Sequence, residues 1–512
     1  MANQTRRDFL VTSAKGIALA SIPFFLRIDP ARAFGIPDAD RLSGYLDHFG
    51  VTEATIREIM ATALEKGGDY CDLYFEHTIS NWVGLEDDSV NRAYANVDFG
   101  VGIRVIEGDQ TGYSYTEEIT PAAMKLAAQT AANIASDSRT APPAKVSLHD
   151  IPNYYPVKTA WEDVGIDRKM PFLTRLNEHM KTEDTRLIKT KVWFNDETKY
   201  IMAATSDGRI VCDYQPMVTI HASCTAEQDG KVESGGRSFA SRSGLECLTD
   251  ATIDRVAREA VERTTRLFTA VKPPAGEMPV ILAAGASGIL LHEAIGHGME
   301  ADFNRKGESI FSDKIGKPVA EKFVSIVDDG TTVAERGSIN CDDEGNDSQK
   351  NYLVQDGILT TYMHDRISAR HYQVKSTGNG RRQSFRFPPL PRMTNTYMPP
   401  GPHTRDEIIA STKSGILAEA FTNGEVRIGP GDFTFYVASG RLIENGKLTS
   451  SIKDVNIIGN GPDVLTKVTM VADDFEIDNG VWTCGKGGQS VPVSLGLPTV
   501  KVSSITVGGI AG

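Results

Sequence analysis

The chain has 512 residues, enough for two to four domains with sizeable cores. A formal net charge of −13 argues against general affinity for nucleic acid or anionic membrane, and six cysteines are too few for a disulfide-built scaffold. With 40% hydrophobic and 24% charged residues, the composition is that of an ordinary soluble globular protein.

The first segment is a leader rather than part of the fold. Arg6 and Arg7 are followed by Phe9 and Leu10, a modest apolar run ends near Leu26, and Ala31-Arg32-Ala33 offers a small-residue cleavage site. Residues 1–33 therefore read as a twin-arginine export signal, which implies a periplasmic or exported protein. The apolar run is short and contains Lys15, which disfavours a permanent anchor. No later stretch approaches about 18 uninterrupted apolar residues, so no membrane span is expected after the signal is removed. Such signals address chains that cross already folded, so a site with a cysteine ligand could be loaded in the reducing cytoplasm first.

After the leader, TIREIMATALEKGG carries Ile56, Ile59, Met60, Ala63 and Leu64 at helical spacing and stops at Gly67-Gly68. Three strand-like runs follow: YCDLYFEH, NWVGLED and FGVGIRVIEG. Gly100 and Gly102 lack the third glycine and following helix of a dinucleotide loop, so that run is a strand. PAAMKLAAQTAANIAS is a second helix, and a region of strands and helices ends in the amphipathic ATIDRVAREAVERTTRLFTA. Pro273-Pro274 and Gly276 then mark a boundary. Beyond it PVILAAG is a strand, and Asp356-Gly357 and Asn445-Gly446 turn two hairpins. The expected architecture is an α/β N-terminal domain, residues 34–272, followed by a β-rich mixed α+β C-terminal domain, residues 273–512, carrying a metal site on a helix.

The helix in question is GILLHEAIGHGMEAD, with His292, Glu293 and His297. The familiar zinc signature H-E-x-x-H has two residues between the histidines, and here there are three. Four residues apart, two side chains stand about 40° from each other; five apart, roughly 140° on an ideal helix. A π-type bulge, or a helix ending near Gly296, would bring the imidazoles together, and Gly296 and Gly298 flank the second one. A catalytic zinc site usually takes three protein ligands and keeps a fourth position open. Glu300, Asp302 and the distant Cys484, in a glycine-rich stretch, are the candidates for the third.

HEAIGHGMEAD, STGNGRR, PRMTNTYM and TCGKGGQSVPV together resemble the TldD/PmbA family of metallopeptidases. DLYFEH…VGLEDDSVNRAYANVDFGVGIRVI is similar to that family's first domain, so the resemblance spans nearly the whole chain after the leader. It implies zinc ligation by His292, His297 and Cys484, with Glu293 as general base of peptide-bond hydrolysis. It also implies a dimer, either with itself or with a metal-free paralogue. The expected substrate is an extended or unfolded peptide. The alternatives are a peptide-binding or chaperone-like subunit with a structural metal, and an amidase acting on a non-peptide amide. The export signal departs from the family, whose typical members are cytoplasmic.

Other features read as structural. Arg381, Arg382 and Arg386 could bind a peptide carboxylate or an oxyanion, but a surface loop with ordinary salt bridges is the plainer expectation. CDDEGND, residues 341–347, lacks the full calcium-loop pattern and reads as a polar loop. His364 and His371 read as surface or core histidines. Five cysteines remain after Cys484, so at least one is free or intermolecular.

Overall fold

The computed structural model describes residues 38–135 and 142–509. The leader expected at residues 1–33 lies outside them. Helix α1 (Asp38–Phe49) leads into α2 (Glu53–Ala63), where Thr52 accepts a hydrogen bond from the Thr55 N–H and caps the first turn. The periodic residues Ile56, Ile59, Met60 and Ala63 are buried, as their spacing requires. Each large side chain contributes about 1.5–3 kcal/mol. Strand β1 (Tyr70–Glu86) follows, then β2 (Ser89–Glu107), β3 (Gln110–Thr116) and α3 (Pro121–Ala131). The runs YCDLYFEH and NWVGLED are thus one strand of 17 residues, because the linking Thr78-Ile79-Ser80 contains no breaker. Helix α4 (Ile166–Glu183), strands β4 (Leu187–Thr205), β5 (Arg209–Gln228) and β6 (Lys231–Ser241), and helix α5 (Asp250–Thr265) complete this half.

The strands form one sheet in the order β3-β2-β1-β4-β5, with β6 and the short Ser147–Leu148 both on β5. Side chains alternate across a strand, so β1 sorts its residues by parity. Cys71, Leu73 and Phe75 face α1–α3, and Val83 and Leu85 face α4 and α5 farther along. The opposite face carries Asp72, Tyr74 and Glu76, which are also buried, because the second half of the chain packs there.

That half is mostly β, and five of its strands form a ring. β7 (Gly276–Leu282) lies parallel to β8 (Ser414–Arg427), which pairs with β9 (Asp432–Glu444). β9 pairs with β10 (Val455–Asn460), β10 with β11 (Val500–Gly509), and β11 returns to β7. The closed order leaves none of the five as a free edge along its whole length. Beside it stands a six-stranded sheet that includes Ile326–Asp329, Asn395–Tyr397 and Ser494–Leu497. Val280, Leu282, Ile416, Phe435 and Ile457 share one core with Leu290, Leu291 and Ile295, which fixes the helical segment after β7. Asp356-Gly357 and Asn445-Gly446 turn hairpins with positive φ at both residues, as expected. Among the described residues no helix is long and apolar enough to cross a membrane.

The two halves meet through buried charge. Arg104 pairs with Asp72 at 2.6 Å and with Glu344 at 2.8 Å, and Arg382 reaches Asp72 at 3.2 Å. The Arg382 N–H and the Tyr74 hydroxyl both donate to Asp343. The expectation of a surface loop at Arg381 and Arg382 is therefore corrected: both are buried, Arg382 against the Asp72 carboxylate of β1 and Arg381 against the Met393 and Pro492 carbonyls, to which it donates. Arg386 is part-exposed and bridges to Asp98 and Glu117. CDDEGND is the polar loop expected, folded into this seam rather than left in solvent. His364 is a core residue and His371 is exposed.

Candidate metal centre

The segment from residue 286 to 299 is not a regular helix. It begins as a tight turn at Ala286–Gly288 and makes one α turn at Ile289–Leu291. It then widens into a π turn at His292–Gly296 and closes as a tight turn at His297–Met299. The His297 N–H donates to the His292 carbonyl, five residues back. This wide turn absorbs the extra residue of the motif and brings the two imidazoles edge to face, with centroids 5.1 Å apart. Glycine at 296 is a packing requirement: an added Cβ would lie 2.0 Å from the Met393 sulfur. At the segment's end, Asn304 and Ser309 donate to the Gly298 carbonyl.

The third group arrives on a separate hairpin, Thr483–Lys486 paired with Gln489–Pro492. Gly487 and Gly488 both take positive φ, the two-residue turn that matches strand twist. Cys484 therefore lies on the strand before the turn, opposite Val491. The buried Arg392 donates to the Cys484 carbonyl and holds that strand in place.

His292, His297 and Cys484 each offer one ligand atom, and these atoms lie within 4.8 Å of one another. All three residues are buried, Cys484 and His292 to 1% exposure. The Cys484 sulfur is 3.6 Å from His297 Nε2. The Glu300 carboxylate, also buried, can only accept, so His297 Nδ1 carries a proton and donates to it at 2.9 Å. Nε2 is thereby the ring nitrogen left facing the cysteine. Burial alone would push the Cys484 thiol up, but the imidazoles of His292 and His297 outweigh it and hold the thiol well below its ordinary range. Burial would likewise lower His297, and the Glu300 carboxylate beside it, then Cys484, overturn that effect and raise it.

Two imidazoles and a thiolate converging in a buried site are the donor set that zinc prefers. His292 Nδ1 is buried and has no hydrogen-bond partner among the described residues. Glu293 differs from its neighbours: its side chain is 22% exposed and its carboxylate is 3.9 Å from His297 Nε2. Of the other third-ligand candidates, Glu300 lies behind His297, and Asp302 pairs with Lys486 at 2.7 Å. Reading by residue type offered no role for Lys486 or Arg392. A separate cavity of about 480 Å³, lined in part by Asp69, Tyr70, Asp207, Arg366 and Arg370, contains none of the three donors.

Comparison with known proteins places the chain in a family and matches its fold. Family profiles described as PmbA/TldA metallopeptidase match three stretches: domain 1 at residues 71–135, the central domain at 160–268 and the C-terminal domain at 275–509. A Haemophilus influenzae metalloprotease TldD homologue is 40% identical, covering 89% of this chain and 96% of the relative. A zinc metalloprotease TldD homologue from Saccharolobus solfataricus is 29% identical, covering 87% of this chain and 98% of the relative. In fold, the chain is similar to TldE from Thermococcus kodakarensis, with a TM-score of 0.70 at 18% identity over 89% of this chain and 99% of that one. A Thermotoga maritima structure gives 0.74 at 20% identity, over 89% and 100%.

Proposed function

That the chain belongs to the PmbA/TldA metallopeptidase family is the premise from which we propose a zinc-dependent peptidase acting on extended or unfolded peptide segments. The observation that carries the reading is the convergence of His292, His297 and Cys484 beside a part-exposed Glu293. His292, His297 and Cys484 would hold the zinc ion, which would supply Lewis acidity toward the scissile carbonyl and the attacking water. Glu293 takes the proton from the attacking water and delivers it to the leaving amine. The buried wall formed by Met393, Phe311 and the core around Ile295 excludes bulk water from the far side of the donors. Hydrolysis then proceeds without a covalent acyl-enzyme.

The leader at residues 1–33 supports export by the twin-arginine route and a periplasmic setting. Replacing Arg6 and Arg7 together by lysine should hold the protein in the cytoplasm, and unchanged recovery outside it on fractionation would refute that route. Assembly with a second copy, or with a metal-free paralogue, belongs to the same reading.

Glu293→Gln tests the chemistry. It keeps shape and removes the proton acceptor, so peptide hydrolysis should fall by roughly 10²-fold or more. Zinc content and melting temperature should barely move. Near-normal turnover in this variant would remove Glu293 as the base.

A further inference from the structure

Cys484 and Lys486 are two residues apart on one strand and so project from the same face of the hairpin. The Lys486 ammonium, 7% exposed, has three donors and meets three acceptors. These are Glu300 Oε2 at 3.1 Å, Asp302 Oδ1 at 2.7 Å and the Pro391 carbonyl at 3.0 Å. Its charge also sits 4.4 Å from the centre of the Phe303 ring. Glu300, Asp302 and Phe303 all belong to the chain just after the π turn. The Glu300 oxygen that Lys486 touches is the one that accepts from His297 Nδ1.

We propose that Lys486 is a positioning residue that locks the hairpin bearing Cys484 to the helical segment bearing His292 and His297, and that it orients His297 through Glu300. The three donors come from segments nearly 190 residues apart in sequence, and Cys484 and His297 are separated by 187 positions. Such a site keeps its geometry only if something other than the metal holds the two segments in register. Lys486 does so with the same strand that carries the cysteine: a one-residue slip of that strand would turn both side chains away together. Glu300 in turn fixes the tautomer of His297, since a carboxylate at Nδ1 leaves only Nε2 for a metal.

The proposal rests on the zinc reading above, and one experiment separates the two. Full-length wild-type protein is loaded with zinc and titrated against a chelator, alongside Lys486→Met and Glu300→Gln. A parallel set is loaded with cobalt, whose thiolate charge-transfer band reports Cys484 directly. Wild type should hold one metal per chain. Each variant should bind zinc ~10- to 100-fold more weakly, with a cobalt band that is weaker or displaced. A purely structural role would lower melting temperature and leave both readouts alone. Where Lys486→Met yields no folded protein, Glu300→Gln decides alone. Wild-type affinity and an unaltered cobalt band in a folded variant would overturn the positioning role while leaving the zinc reading intact. A wild type that holds no zinc would overturn both.

Discussion

Two buried polar clusters stand in this molecule, and they are built on opposite plans. At the seam between the halves, Arg104 and Arg382 sit among Asp72, Asp343 and Glu344, so each cation faces an acid and each acid a donor. At the candidate metal centre, His292, His297 and Cys484 each turn one ligand atom toward the others, while Lys486 is engaged by Glu300 and Asp302 and Arg392 by the Cys484 carbonyl. In the first cluster each charge is met by an opposite charge of the chain; in the second, nitrogen and sulfur ligand atoms point at a common place. Burial and charge count do not separate them. What separates them is whether the partners needed to satisfy the cluster lie within the chain, and that difference distinguishes a structural network from a site.

The largest effect should come from breaking the second cluster. His292→Ala removes a donor, so zinc content per chain should drop to background and peptide hydrolysis should vanish, while circular dichroism stays that of the wild type. Retained stoichiometric zinc would show that the remaining donors recruit a different partner. Breaking the first cluster should do the reverse. Arg104→Met leaves the buried Glu344 without its cation and Asp72 with Arg382 alone, at a cost of about 3–5 kcal/mol. The denaturation midpoint should fall accordingly, with zinc per folded chain unchanged. A loss of zinc in that variant would mean that the seam and the centre are one network.

The smaller predictions sharpen the contrast. Gly296→Ala forces a methyl group against Met393 and should cost about 1–3 kcal/mol in stability, read from the shift in melting temperature. A neutral result would show that Met393 swings aside. The smallest effect concerns pH. Burial, and then the neighbouring Glu344 carboxylate, push Asp342 up to about 7. The folded chain therefore holds this proton more tightly than the unfolded chain, where an aspartate titrates near about 4. Its stabilising contribution is complete below about pH 4 and is lost as pH rises through about 7. Asp342→Asn cannot lose it, so the melting temperature of the variant should gain on the wild type between about pH 5 and pH 8. A constant difference across that range would count against the raised value.

Most of the second cluster could be read in the sequence, and most of the first could not. The motif named two donors, and the glycines beside His297 pointed to the distortion that aligns them. Cys484 emerged only through family resemblance, because no spacing rule joins positions so far apart. Lys486 left one faint trace, its alternation with Cys484 along a strand. The seam left less. STGNGRR and CDDEGND look like surface loops because their composition is polar, and composition says nothing about what packs over a loop. The acid that calls for Arg382 and Arg104, Asp72, alternates along β1 with the apolar Cys71, Leu73 and Phe75. That alternation ordinarily marks a face turned to water. The 17-residue length of β1 was hidden for the same reason, since a strand covered on both sides by different partners shows no single periodicity.

The π turn carries a further consequence for how motifs are compared. A helix that takes up one extra residue within a single wide turn leaves the flanking turns in phase, as if nothing had been added. In three dimensions His292 and His297 thus occupy the places that a pair four apart would hold in an unbroken helix. The longer and shorter histidine spacings are one spatial pattern written with and without an insertion, and a ruler laid along the sequence separates sites that a ruler laid through space would unite. Excision of one residue between Glu293 and His297 becomes a conservative change for the donors and a drastic one for the backbone, which would exchange its widened ring for an ordinary one.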